Sequence, residues 1–299
     1  MRIGSRGSSL ARVQADHVAR LLGGAEIVIL RTSGDEPAAG ESPPAPAADK
    51  SRWVDTIEQA LLAGEIDLAV HSAKDVPSEL APGLALLGSP PRAPVQDALC
   101  GAGALSDLPQ GARVGTGSLR RAAQLLAARP DLELCSLKGN VDTRLARLGE
   151  GRLDAIVLAH AGLARLGREG EIGALLHPDV FVPSPGQGTL ALEGRAEDTA
   201  AAQAARSITD QPTLDCLQAE RELARGLAAS CNTPLGACCR PAEGKTLRMR
   251  AWVGLSDGSA WIADELESEH PLELARALEQ RMRSVGAAEM LAAAEAMAL

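Results

Sequence analysis

From the first residues onward, short apolar runs rich in Val and Ile alternate with longer segments of helical period, and this alternation restricts the chain to α/β architectures. A helix is predicted over Ser8 to Leu22, a strand over Glu26 to Thr32, a helix over Lys50 to Ala63 and a strand over Ile66 to His71. Further on, Leu119 to Ala128 and Thr143 to Leu148 read as helices and Leu153 to Ala159 as a strand. Such an order predicts parallel sheets covered by helices. The stretch 34–49 is Pro, small residues and acids, which cannot build a packed element, so a mobile loop is expected there. Proline-punctuated passages at 89–94 and 183–188 bracket a middle unit. A chain that leaves one α/β domain, builds a second and returns makes two hinged lobes with a ligand cleft between them. After about Thr209 the pattern becomes a helix, a cysteine turn, strands over Leu247 to Leu255 and Ser259 to Glu267, and one alanine-rich helix, a separate α+β unit. The expected division is residues 1–90 with 189–206, residues 94–183, and residues 211–299, in keeping with 299 residues.

A formal charge of −9 disfavours a general nucleic-acid binder, and three Trp, one Phe and no Tyr leave little for base stacking. The six cysteines form no C-x-x-C pair and no zinc spacing, so reduced thiols are expected. The first 18 residues carry no apolar signal core, and no later run approaches about 18 apolar residues. A soluble cytoplasmic protein is the expectation. Only four lysines, Lys50, Lys74, Lys138 and Lys245, stand against 26 arginines, so lysine is not the default surface cation.

Six segments carry chemistry. The heptad from His71 to Pro77 follows a strand, and Pro77 keeps Val76 out of the helix, which puts Asp75 in a loop at the strand's carboxyl end. A carboxylate there either caps backbone amides or steadies a developing cation. From Val114 to Arg121 a strand enters a Gly-rich turn in which Ser118 caps the next helix. Arg120 and Arg121 in its first turn oppose the helix dipole, which favours a bound anion over a purely structural role. Lys138 and Arg144 flank a Gly-Asn helix entry, Arg6 and Ser8 precede another, and Arg165 adds a further cation. Cations at several helix entries of an acidic chain imply a substrate with many carboxylates. Lastly, the helical pattern from Glu220 runs into the small-residue turn Ala228-Ala229-Ser230-Cys231 and ends at Pro234. It presents a thiol that, taken alone, reads as a buried apolar group.

The spacing Glu220-Arg221-x-Leu223-x-x-x-Leu227-x-Ala229-Ser230-Cys231-x-Thr233-Pro234-Leu235-Gly236 resembles the cofactor-attachment signature of the porphobilinogen deaminases, and the other segments resemble that family in the same order from Arg6 to Gly236. The resemblance implies two hinged periplasmic-binding-protein-like α/β domains and a small C-terminal α+β domain carrying the cofactor cysteine. It implies a monomeric transferase that joins four porphobilinogen molecules into hydroxymethylbilane, with a dipyrromethane held on Cys231 through a thioether. By the same resemblance Asp75 is catalytic. Lys74, Asp75, Thr116, Ser118, Arg120, Arg121, Lys138 and Arg144 bind cofactor, and Arg6, Ser8 and Arg165 bind substrate. The growing pyrrole chain is the partner, with no nucleic acid or membrane. Lys138 stands where the family has arginine, Trp53 replaces phenylalanine, Gly117 serine and Ser230 glycine, and Pro185 is an extra hinge proline. A divergent paralogue without the activity, a two-lobed receptor for small anions and a cysteine-nucleophile hydrolase are the alternatives.

Overall fold

The structure is a computed structural model that describes residues 1–31, 51–229 and 233–297, without the side chains of 51–53. The expected loop 34–49, Lys50, the Trp53 side chain and the cysteine position, Cys231 with Ser230, lie outside the described residues.

Two five-stranded sheets share one plan. The first comprises β1 (Arg2–Arg6), β2 (Glu26–Leu30), β3 (Leu68–Ser72), β4 (Leu84–Gly88) and β10 (Leu190–Arg195), in the order β2-β1-β3-β10-β4. The second comprises β5 (Asp97–Cys100), β6 (Arg113–Thr116), β7 (Glu133–Ser136), β8 (Ala155–Ala159) and β9 (Ala174–Leu176), in the order β7-β6-β8-β5-β9. In each sheet the second-to-last strand is the one that arrives from the other sheet: β5 follows β4, and β10 follows β9. Both run antiparallel to their neighbours, while β1 with β2 and β3, and β6 with β7 and β8, are parallel. The sheets are therefore mixed, where the sequence predicts parallel ones. Both linkers, 89–96 and 177–189, run past the carboxyl ends of the parallel strands, so each arriving strand enters from that end and must point the other way.

Helices form where an apolar stripe meets a capping residue. Helix α1 (Ser9–Leu21) is capped by Ser8, whose side chain accepts from Ala11 N, and buries Ala15, Val18 and Ala19. Helix α2 (Ser51–Leu62) buries Ile57 and Leu61. Helix α3 (Leu119–Ala128) is capped by Ser118, α4 (Val141–Gly149) by Asn140 and α6 (Thr199–Ser207) by Asp198, while α5 (His160–Arg165) follows β8 directly. Helix α7 (Gln211–Gly226), capped by Asp210, leads into the third sheet of β11 (Leu235–Pro241), β12 (Leu247–Gly254) and β13 (Trp261–Ser268). Leu223, Met249, Ala251, Leu274 and Leu278 form the core beneath it. The expected single C-terminal helix is two, α8 (Pro271–Ser284) and α9 (Ala287–Met297), because Gly286 at φ 95° turns the chain between them. No helix among the described residues is long and apolar enough to cross a membrane.

Candidate functional site

The predicted site residues gather at the carboxyl ends of parallel strands from both sheets. Arg6 ends β1 and Ser8 follows it, Lys74 and Asp75 follow β3, Thr116 to Arg121 end β6 and open α3, Lys138 follows β7, and Arg165 ends the helix after β8. Asp75 sits on a single 3-10 turn, Ala73–Asp75, and Pro77 holds Val76 extended at φ −82°, ψ 131°. The turn is pinned from several sides. Ala73 N donates to Thr189 O at 3.0 Å, and Gln14 Nε2 donates to Ser72 Oγ at 2.8 Å. At Gly186, φ 75°, a Cβ would stand 2.9 Å from the Lys74 nitrogen, so only glycine lets the returning linker lie against this peptide. Arg6, Ser8, Gln14, His71, Ser72 and Asp75 line a cleft here. A larger groove beside Val13, Arg20 and Ile27 lies at the other end of α1 and holds none of these groups.

His71 faces inward: its Nε2 lies 2.9 Å from the buried carboxylate of Glu193. It is thus buried in the interior, as a core histidine would be, although neither its Nε2 nor the Glu193 oxygens make a hydrogen bond among the described residues.

Arg120 and Arg121 correct one step of the sequence reading. Both are buried, and their partner is an acid of the second sheet, Asp97 on β5, itself 1% exposed. Arg120 Nη1 donates to Asp97 Oδ2 at 2.8 Å and to Val182 O at 2.9 Å; Arg121 donates to Asp97 Oδ1 through Nη2 at 2.7 Å and Nε at 3.0 Å. Gln187 of the returning linker donates through Nε2 to Oδ1 at 2.9 Å. A structural role for this pair, disfavoured by the dipole argument, is present because a buried carboxylate offsets the misplaced charge. Burial would raise the Asp97 carboxyl, but Arg120 and Arg121 outweigh it and hold it below the usual range. The pairing is incomplete, since the buried Arg120 Nε has no partner among the described residues.

Among the described residues, Lys74, Arg144 and Arg165 make no such ion pair. Burial pushes the Lys74 ammonium down to about 8, and Arg121 and Arg120 push the same way against Asp75 and Asp97. Arg144, whose Nε donates to Gly139 O at 2.7 Å, is lowered by burial and then by Arg121. Burial alone brings Arg165 down to about 10, and its Nη2 donates to Gly188 O at 2.7 Å. Lys138 is exposed at the rim. Thr116 Oγ1 accepts from Ser118 N at 3.2 Å, and Ser118 Oγ accepts from Arg121 N at 3.4 Å, so both hydroxyls shape the turn. Among the described residues, the cleft gathers desolvated positive charge around the Asp75 carboxylate, which stands on a fixed turn.

Three groups escaped the sequence reading as site candidates. Besides Asp97, the pair Arg92 and Glu220 ties the linkers to α7. Arg92 Nη1 donates to Glu220 Oε1 at 2.8 Å and Nη2 to Oε2 at 3.1 Å, while Glu220 also accepts from Gly186 N at 2.6 Å and Cys239 N at 2.7 Å. A readable signal existed: Cys216, Leu217, Glu220, Leu223 and Leu227 fall on one helical stripe, which puts a carboxylate among core residues. Arg221, the next residue, reaches the turn beyond Asp75.

Two family descriptions match the chain: "Porphobilinogen deaminase, dipyromethane cofactor binding domain" over residues 1–203, and "Porphobilinogen deaminase, C-terminal domain" over residues 214–285. Curated relatives include the porphobilinogen deaminase of Deinococcus radiodurans, 42% identical with 97% of each chain covered. That of Thermus thermophilus is 42% identical over 95% of this chain and 97% of the relative. That of Roseiflexus sp. is 45% identical over 86% of each. Among solved structures, a methionine-binding protein is 14% identical, covering 74% of this chain and 89% of that one, with a TM-score of 0.41.

Proposed function

The chain belongs to the porphobilinogen deaminase family, and from that premise we infer that Asp75, Lys74 and the arginines around them form its reaction cleft. The reaction is the head-to-tail condensation of four porphobilinogen molecules into hydroxymethylbilane, with release of ammonia, in tetrapyrrole biosynthesis; dipyrromethane is the cofactor. The observation that supports the residue assignments is the gathering of Lys74, Arg144 and Arg165 with Asp75 at the strand ends of the two sheets, where burial lowers all three cations and the Arg120 Nε has no partner among the described residues. A ligand bearing several carboxylates restores the charge balance of such a site, so these residues fit a dipyrromethane with acidic side chains.

When bound, the dipyrromethane supplies a nucleophilic pyrrole carbon from which the chain grows. Cys231 anchors it through a thioether in this reading, and Lys74, Thr116, Ser118, Arg120, Arg121, Lys138 and Arg144 hold its carboxylates. Arg6, Ser8 and Arg165 hold those of the incoming porphobilinogen. Loss of ammonia, with the C–N electron pair leaving on nitrogen, turns the substrate into a cationic methylene pyrrole. The Asp75 carboxylate accepts a hydrogen bond from its N–H and offsets the positive charge, a stabilisation that is stronger in the transition state than in the ground state. Each addition brings further carboxylates, which accounts for cations at both sheets rather than one. A cytoplasmic monomer is the setting we propose, on the acidic net charge and the unpaired cysteines among the described residues.

The test pairs intact-protein mass spectrometry of the chain and of Cys231→Ala with an assay of hydroxymethylbilane. A mass increment of one dipyrromethane that disappears in Cys231→Ala, with turnover abolished in Asp75→Ala, is expected. An increment that survives in Cys231→Ala removes the anchor, and full turnover by Asp75→Ala removes the catalytic carboxylate.

A further inference from the structure

Asp75 stands on one turn, so its carboxylate is fixed only as well as the backbone on either side. The upstream side is held within the first sheet by Thr189 O and by the Gln14–Ser72 bond. The downstream side is held by a different element. Arg221 of α7 donates through Nη2 to Pro77 O at 2.6 Å and Ser78 O at 3.0 Å, and through Nη1 to Val76 O at 3.5 Å. Among the described residues its guanidinium makes no ion pair, and burial draws its pKa down against the opposing charge of Glu193. One turn earlier on α7, Leu217 packs on Ala73, Val76 and Ala191. The neighbouring Glu220 binds Gly186 N, whose residue lies against the Lys74 peptide. Helix α7 therefore grips the Lys74–Asp75 turn on both flanks, and its carboxyl end leads toward Cys231.

We propose that Arg221 is a positioning residue for the family's reaction, fixing the Asp75 carboxylate relative to α7 by holding the three carbonyls from Val76 to Ser78. The proposal rests on the reading of Asp75 as the catalytic carboxylate. A planar fork with several donors suits three successive carbonyls in a way that an ammonium does not. Displacing a reacting group by about 1 Å costs on the order of 100-fold in rate.

The experiment uses the full chain carrying Arg221→Met, Arg221→Gln or Arg221→Lys, with Asp75→Ala beside them. The readouts are intact mass, kcat and KM for porphobilinogen, thermal midpoint, and amide hydrogen exchange. The expected result for Arg221→Met is retained cofactor mass and nearly unchanged KM, with kcat lower by about 10- to 100-fold. Exchange rises locally in the peptide spanning 73–80, and Arg221→Lys recovers part of the lost kcat. If Arg221→Met does not fold, Arg221→Gln and Arg221→Lys are read the same way. Normal kcat in the folded variants, with Asp75→Ala inactive, overturns the proposal. So does a loss of kcat that follows a lowered thermal midpoint, with exchange raised throughout the chain. An active Asp75→Ala overturns the reading of Asp75 and this proposal with it.

Discussion

Asp97 accepts from Arg120, Arg121 and Gln187 while almost wholly buried, so removing its charge leaves two buried guanidinium groups without compensation. Breaking one side of a buried pair costs about 3–5 kcal/mol, and Asp97→Asn is expected to lower stability by that order in urea titrations. The sign with pH follows from the depressed carboxyl. Its contribution is complete above the unfolded-state value near 3.8 and is lost as pH falls through the lower folded-state value. The destabilisation by Asp97→Asn should therefore be constant between about pH 5 and pH 8 and shrink below about pH 4; a cost that varies across neutral pH would contradict it. Lys74 responds in the opposite range. With its ammonium brought down to about 8, the free enzyme loses a carboxylate-binding charge as pH rises through that value. Loading of dipyrromethane onto the cofactor-free chain is expected to show an alkaline limb near pH 8, and Lys74→Arg should move it upward, because guanidinium stays protonated. A limb that stays in place in Lys74→Arg assigns it to another group.

Helix α7 shows how an end is built to deliver a turn. Ala229 N donates to Ala224 O and Ala228 N to Arg225 O, both at 3.0 Å, the two bonds of a Schellman cap, with Ala228 at φ 52° in the position that glycine usually occupies. Left-handed backbone costs an L-residue about 1–2 kcal/mol, partly offset by the greater unfolded-state freedom of glycine. Ala228→Gly is thus expected to raise the urea midpoint by the equivalent of about 1 kcal/mol, and an unchanged or lower midpoint would show the cap to be unstrained. The same local rules made much of the helical framework readable in the sequence: Ser8, Ser118 and Asn140 cap the helices they precede. Strands β4, β5 and β10 were not readable. Each is four to six residues long, and its pairing is decided by segments far away, such as Leu190 with Ser72 and Asp97 with Ala159.

The gathering of the site cations was legible because they sit at helix entries and strand ends, which turn chemistry marks in the sequence. Which cations are already paired was not, since Asp97 is 23 residues before Arg120 and meets it only through β5 and α3, two elements of the second sheet's layers. Long-range pairing also governs how the three sheets are joined. Arg92 lies on the outgoing linker and Gly186 on the returning one, and both bond Glu220 of α7, which also takes Cys239 N of the third sheet. Burial would lower the Arg92 pKa, but Glu220 outweighs it and holds it raised. One carboxylate thus connects both crossings of the chain to the element that leads toward Cys231. Removing either partner strands the other, so Arg92→Met and Glu220→Leu should each cost about 3–5 kcal/mol. The double variant buries no unpaired charge, and its cost should fall short of the sum of the singles by more than about 1 kcal/mol. Losing the junction should also uncouple the third sheet from the other two, so calorimetry of the double variant is expected to show two transitions where the wild type shows one. Additive single costs with one sharp transition would mean that the other contacts, among them Trp252 and Cys238 with Ala123 and Val182, Arg240 with Asp179, and Ala237 N with Pro183 O, suffice to hold the sheets together.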